Sequence, residues 1–199
     1  MHRRREYIAE MSVRSHTPLT ADDLLRMAVP HRRTELIRGV LVVREPAGYR
    51  HGDAAMRLGV AISVHAEAHS LGRVFAAETG FTLTRDPDTV RAPDVAFVSR
   101  ARLPDPAPRG FAELAPDLAV EILSPDDRPG EVLEKVADWL KAGTQLVWVV
   151  DPIRRSARVY RANGDESHLG PNDSMRGEEV LPGFEFALNR LDVAAGETR

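Results

Sequence analysis

The run Leu118-Ala119-Val120-Glu121-Ile122-Leu123 is apolar at both alternating parities and interrupted by one carboxylate. Such a pattern predicts a central strand covered on both faces, with Glu121 sharing its face with Ala119 and Leu123 rather than with water. Ser124-Pro125-Asp126-Asp127 ends the run. Helical spacing then predicts a helix over 131–142, with Val132, Val136 and Leu140 on its buried face, Lys135 at the border and Gly143 as its stop. A second apolar strand over 145–150 closes at Asp151-Pro152, and strand, helix, strand is a parallel crossover unit.

Upstream, residues 1–17 mix charges without a period and read as a mobile arm carrying His2-Arg3-Arg4-Arg5. Thr20 is placed to cap a short helix to about Ala28, with Asp22 and Asp23 in its first turn. Residues 33–37 and 40–43 flank Arg38-Gly39 and predict a β-hairpin. Glu35, just before the apolar part of its first strand, reads locally as an exposed edge carboxylate. From His51 to His69 the positions Ala54, Leu58, Ala61 and Ile62 recur at helical spacing, so a long packing helix is expected there, ending before Gly72. Within it His65 and His69 stand one turn apart without the zinc-protease order, and solvent-facing histidines are expected. His51 faces either a ligand or the helix cap.

Strands are expected over 74–78 and 81–84, then after the Asp86-Pro87-Asp88 turn, where Pro93 starts a strand and puts Asp94 at its mouth. The proline-rich residues 103–116 suggest a surface excursion that serves as a lid or a dimer contact. Residues 157–160 form another strand, 163–165 a turn, and Val180–Phe186 docks on the sheet edge. The domain reading is an arm to residue 17, one domain over 18–190 and a tail over 191–199.

Composition narrows the chemistry. With no cysteine, disulfides, thiolate zinc sites and a cysteine nucleophile are excluded, and a reducing cytoplasm is the expected compartment. No apolar run reaches membrane length and no secretory signal is read. A net charge of −3 gives no global footprint for nucleic acid, although a local basic groove can coexist with an acidic remainder. There is no Gly-rich phosphate loop, no dinucleotide fingerprint and no nucleophile elbow.

A buried Glu121 must be protonated, paired with a cation, or bound to a metal. Asp94 and Glu121 on adjacent strands, with the backbone carbonyl of Ile122, would make an all-oxygen shell suited to Mg²⁺ or Mn²⁺.

Glu35-Leu36-Ile37-Arg38-Gly39, Ala92-Pro93-Asp94-Val95, Val120-Glu121-Ile122-Leu123-Ser124-Pro125, Lys135 with Trp139, and Trp148-Val149-Val150-Asp151-Pro152 occur in an order that resembles the Uma-two family of restriction endonucleases, in the PD-(D/E)XK nuclease superfamily. The resemblance implies an α/β fold, a restriction-endonuclease-like core with a central mixed sheet flanked by helices. It further implies a divalent-metal-dependent endonuclease acting on nucleic acid, DNA first. Asp94, Glu121 and Ile122 would bind metal, Lys135 would take the place of the superfamily lysine, and Glu35 would assist. The superfamily slot for that lysine is Leu123 here. A homodimer would suit duplex cutting. The rival readings are a non-catalytic nuclease-fold module that binds nucleic acid or protein, and a buried structural ion pair between Glu121 and Lys135.

Overall fold

A computed structural model describes residues 17–27 and 33–191. The predicted arm, the end of the first helix at Ala28, and residues 192–199 of the tail lie outside the described residues. Thr20 caps α1 (Ala21–Arg26) in a reciprocal box: its Oγ1 accepts from the Asp23 amide at 3.1 Å, and the Asp23 carboxylate accepts from the Thr20 amide at 2.9 Å. The hairpin forms as expected from β1 (Arg33–Ile37) and β2 (Val40–Arg44). Its turn has Arg38 at φ 49° and Gly39 at φ 77°, the primed geometry that matches the twist of the flanking strands.

Next come α2 (Tyr49–Ala68), β3 (Gly72–Ala76), β4 (Phe81–Thr84), β5 (Thr89–Arg91) and β6 (Val95–Ser99). The crossover follows as β7 (Leu118–Ile122), α3 (Pro129–Lys141) and β8 (Leu146–Asp151). The chain finishes through β9 (Ser156–Arg161), β10 (Glu166–Leu169), β11 (Ser174–Arg176) and β12 (Glu185–Ala187). Among the described residues no helix is long and apolar enough to cross a membrane.

The main sheet has six strands in the order β10-β9-β8-β7-β6-β3. It is mixed, because β7 and β8 run parallel while its other pairs are antiparallel. Alternation sorts its strands cleanly. Leu118, Val120 and Ile122 join Leu58 and Ile62 of α2 in one core, whereas Ala119 joins Val136 and Trp139 of α3 in the core on the opposite face. Burying a side chain such as Leu58 or Ile62 is worth about 1.5–3 kcal/mol, so each helix is fixed mainly by its apolar stripe.

The hairpin belongs to a second, antiparallel sheet of four strands, β2-β1-β5-β4. Several expectations change here. Helix α2 begins two residues before His51, with Gly48 as its cap residue. Helix α3 begins at Pro129, because proline at the first helical position lacks only an N–H that would be unpaired anyway. The segment over 74–78 is instead β3, starting at Gly72 and pairing with β6. Strands β5, β10 and β11 were not expected, since runs of three or four residues with few apolar side chains carry little periodic signal.

Val180–Phe186 does not dock on the sheet edge. Leu181, Phe184 and Phe186 pack on the α2 face of the main sheet, where Phe184 stacks on Trp148 at 5.9 Å between ring centroids. His65 is likewise not a plain solvent-facing residue. Its Nε2 lies 2.9 Å from the Pro182 carbonyl and its ring meets Phe184 edge-on, so it fastens this segment to α2. His69 stays exposed, its Nδ1 at 2.9 Å from the His65 carbonyl.

Candidate active site

The two sheets meet where β1 and β5 approach the ends of β6 and β7, and α3 closes the seam from one side. A cleft of about 390 Å³ opens there, lined by Arg33, Glu35, His51, Asp94, Glu121 and Lys135 among others. The four residues singled out by sequence, Glu35, Asp94, Glu121 and Lys135, are thus brought together, with Ile122 beside them.

Glu121 lies on the α3 side of β7, as strand alternation requires, and is only 8% exposed. Its Oε2 accepts from the Lys135 ammonium at 2.8 Å, and its Oε1 accepts from the Trp139 indole N–H at 2.8 Å. Burial pushes its carboxyl up to about 7; Lys135 opposes that, and the negative charges of Asp94 and Glu35 add to it.

Lys135 reaches the cleft from α3 exactly one turn before Trp139, and its ammonium also donates to the Ala92 carbonyl at 3.0 Å and lies 3.1 Å from Glu35 Oε1. Burial works against its charge, but Glu121, Glu35 and Asp94 together hold its pKa above the ordinary lysine value. The lysine is therefore a fixed cation at the centre of three carboxylates.

Glu35 corrects the local reading of an exposed edge. It is 4% exposed, because its face of β1 turns onto the seam between the sheets, something the hairpin sequence alone does not encode. Oε1 accepts the Ala92 amide at 3.0 Å and Oε2 accepts Arg91 at 3.1 Å. Burial would raise its pKa, but Lys135 and Arg91 outweigh that and hold it below the usual carboxylate range.

Arg91, 2% exposed, also donates to Asp138 of α3 at 2.6 Å. Asp138 and Trp139 follow Lys135 at i+3 and i+4, so one face of α3 supplies three contacts to the seam. Sequence reasoning missed Arg91 and Asp138. The helical spacing from Lys135 was the available signal for Asp138, and the parity of Arg33 with Glu35 was the signal for Arg33.

Asp94 sits just before β6, its amide donating to the Val120 carbonyl at 3.0 Å. Its Oδ2 accepts the Ile122 amide at 2.8 Å and lies 3.1 Å from His51 Nε2, while Oδ1 accepts Arg33 at 2.8 Å. Burial raises its pKa, but the His51 contact, Lys135 and the Ile122 amide bring it down to about 2. His51 is accordingly a site residue in the first turn of α2, not a helix cap.

The donor set fits a hard divalent cation. Asp94, Glu121 and the Ile122 carbonyl offer oxygen only, and burial first of all raises the Glu121 carboxyl to about 7, so a cation could replace its proton. Among the described residues, no group of three or more histidine, aspartate or glutamate side chains converges as a ligand set. Asp94, Glu121 and the Ile122 carbonyl are the donors that would hold such an ion in the cleft.

A family model described as "Uma2: Putative restriction endonuclease" matches residues 21–193. The crystal structure of a "putative nuclease belonging to DUF820" from Anabaena variabilis has a TM-score of 0.76 to this chain at 23% identity, covering 87% of this chain and 97% of that one. At that identity the likeness shows the fold: a mixed sheet flanked by helices. No curated protein matches. The family model takes in every strand described, both long helices and the whole cleft, and the chain belongs to the Uma2 family.

Proposed function

We propose that the cleft hydrolyses phosphodiester bonds of nucleic acid, with DNA the first substrate to test, and that it does so with Mg²⁺ or Mn²⁺ held by Asp94, Glu121 and the Ile122 carbonyl. The observation that carries this reading is Lys135, whose ammonium stands 2.8 Å from Glu121 and 3.1 Å from Glu35 inside the cleft that also holds Asp94. When bound, the cation would lower the pKa of a water and offset charge growing on the phosphate. Lys135 adds a second, permanent positive charge beside Glu121, aimed where that charge develops. Glu35 assists by anchoring Lys135 in place, and Trp139 fixes the Glu121 carboxylate. A cytoplasmic location and a homodimer with paired sites belong to the same proposal, the latter tested by sedimentation.

The test is a Mn²⁺ titration by calorimetry followed by cleavage assays on plasmid, single-stranded DNA and RNA. Binding heat with metal-dependent cutting that is lost with EDTA is the expected result. A specific observation favours the second reading, a non-catalytic module: every carboxylate oxygen of Glu35, Asp94 and Glu121 already has a protein partner within 3.1 Å. Binding heat without cleavage of any nucleic acid would establish that reading instead.

A further inference from the structure

The cleft has a problem of charge. Carboxylates outnumber cations in its lining, where the basic residues are Arg33, Arg44, Lys135 and His51. A phosphodiester entering it meets repulsion unless cations are free to receive it. Lys135 is held by Glu121, Glu35 and the Ala92 carbonyl, and cannot leave without stranding buried charge. Arg33 is different. Among the described residues it pairs with Asp94 alone, at 2.8 Å, and its side chain retains 21% exposure at the cleft wall.

Arg33 also has a neighbour of its own kind. In the β1–β2 register it stands directly opposite Arg44, and cross-strand partners project from the same face of a sheet. Like charges directly opposite one another are unfavourable. Here each is met by a carboxylate from another element, Arg33 by Asp94 and Arg44 by Glu131 of α3 at 3.1 Å. The arrangement places two arginines, each with a guanidinium able to form paired hydrogen bonds to a phosphate, at cross-strand positions in the lining of the cleft.

We propose that Arg33, with Arg44 beside it, is the seat for the substrate phosphate, and that without a divalent cation Arg33 occupies that cation's place on Asp94. This rests on the metal-dependent reading of the same site. A cation and Arg33 compete for Asp94 Oδ1, so binding of the ion turns Arg33 towards the phosphate. The seat becomes available only once the ion is present, and nucleic acid binds poorly in its absence.

Two measurements separate this from a structural Arg33–Asp94 pair. The first is Mn²⁺ affinity by calorimetry in the wild type, Arg33→Ala, Arg33→Lys and Asp94→Ala. Removing a competing unit charge a few ångströms away should tighten Mn²⁺ binding on the order of tenfold in Arg33→Ala, while Asp94→Ala loses it. The second is anisotropy of a labelled oligonucleotide with Ca²⁺, which here stands for a non-hydrolytic ion. Arg33→Ala should weaken that binding at least about tenfold, Arg44→Ala less, and Arg33→Lys should recover part of it. If Arg33→Ala folds poorly, the lysine variant and Arg44→Ala carry the test, by partial and clear losses of oligonucleotide affinity respectively. Unchanged oligonucleotide binding with weaker Mn²⁺ binding would overturn the proposal and leave the metal site standing. A wild-type protein that binds no Mn²⁺ would overturn both.

Discussion

The Lys135 ammonium lies 2.8 Å from Glu121 Oε2 although the two residues belong to different elements of the crossover, a helix and the strand before it. The position two residues beyond Glu121 on the strand is filled by Leu123, which packs with the α3-side core. Helix α3 therefore supplies the charge that the strand does not. Lys135→Ala should cost on the order of a hundredfold in turnover, the size expected for one charge-stabilising group, with Mn²⁺ still bound. Lys141, exposed in the last turn of the same helix, is the control, and Lys141→Ala should leave turnover unchanged. Equal cleavage by both variants would remove Lys135 from the chemistry.

The paired carboxylates make a second prediction. Asp94→Ala combined with Glu121→Ala should abolish the heat of Mn²⁺ binding, because the remaining carbonyl oxygen cannot hold the ion alone. Zn²⁺ should compete weakly, since the donors are all oxygen. Undiminished heat in the double variant would place any metal elsewhere.

Glu121 gives the metal-free protein a pH dependence whose sign is fixed by its environment. Burial and its acidic neighbours raise the folded-state carboxyl from 4.5 to about 7, so the folded state keeps a proton that the unfolded chain releases. The associated stability is full below pH 4.5 and is lost as pH rises through 7, by on the order of 3 kcal/mol. Asp94 and Glu35 are shifted downwards and act in a separate window, at pH below about 4. Urea unfolding between pH 5 and 8 should show stability falling in the metal-free wild type and a flatter profile in Glu121→Gln. A rising profile in the wild type would contradict the assignment.

Arg91 should matter for stability more than its surface contribution suggests. It is 2% exposed and joins Glu35 to Asp138, so Arg91→Met takes from both carboxylates the cation they share. Losing one partner of a buried pair costs roughly 3–5 kcal/mol, read as a lower urea midpoint. Restoring stability by adding Asp138→Asn would identify the stranded charge as the cause.

The crossover was legible because its signals are local: unbroken apolar strands, a 3.6-residue stripe, a glycine stop. Glu121 stood out for the same reason, as one charge among residues that alternation buries. Glu35 was misjudged because β1 is an inner strand, paired on its other side with β5, which is only three residues long, and its face is covered by Arg91 and Lys135, residues distant in sequence. Arg91 and Asp138 were missed for a related reason. Charged residues at the border of an element read as solvated until a second element, distant in sequence, removes the water. The placement of Val180–Phe186 failed similarly, since its apolar residues showed that it docks but not on which surface.

The two tryptophans divide the molecule into independently observable parts. Trp139 hydrogen-bonds Glu121 and packs edge-on against Phe81 at 6.3 Å, within the seam between the sheets, whereas Trp148 stacks on Phe184 on the far side of the main sheet. With Trp148→Phe, the remaining fluorescence reports only on the seam; with Trp139→Phe, only on the α2 core. The first signal should respond to cation binding and to proton uptake by Glu121, and the second should stay flat through both. Under mild denaturant, separation of the two transitions would mean that the α3 side of the main sheet opens while the α2 side holds, so that the two faces of one sheet come apart as separate units.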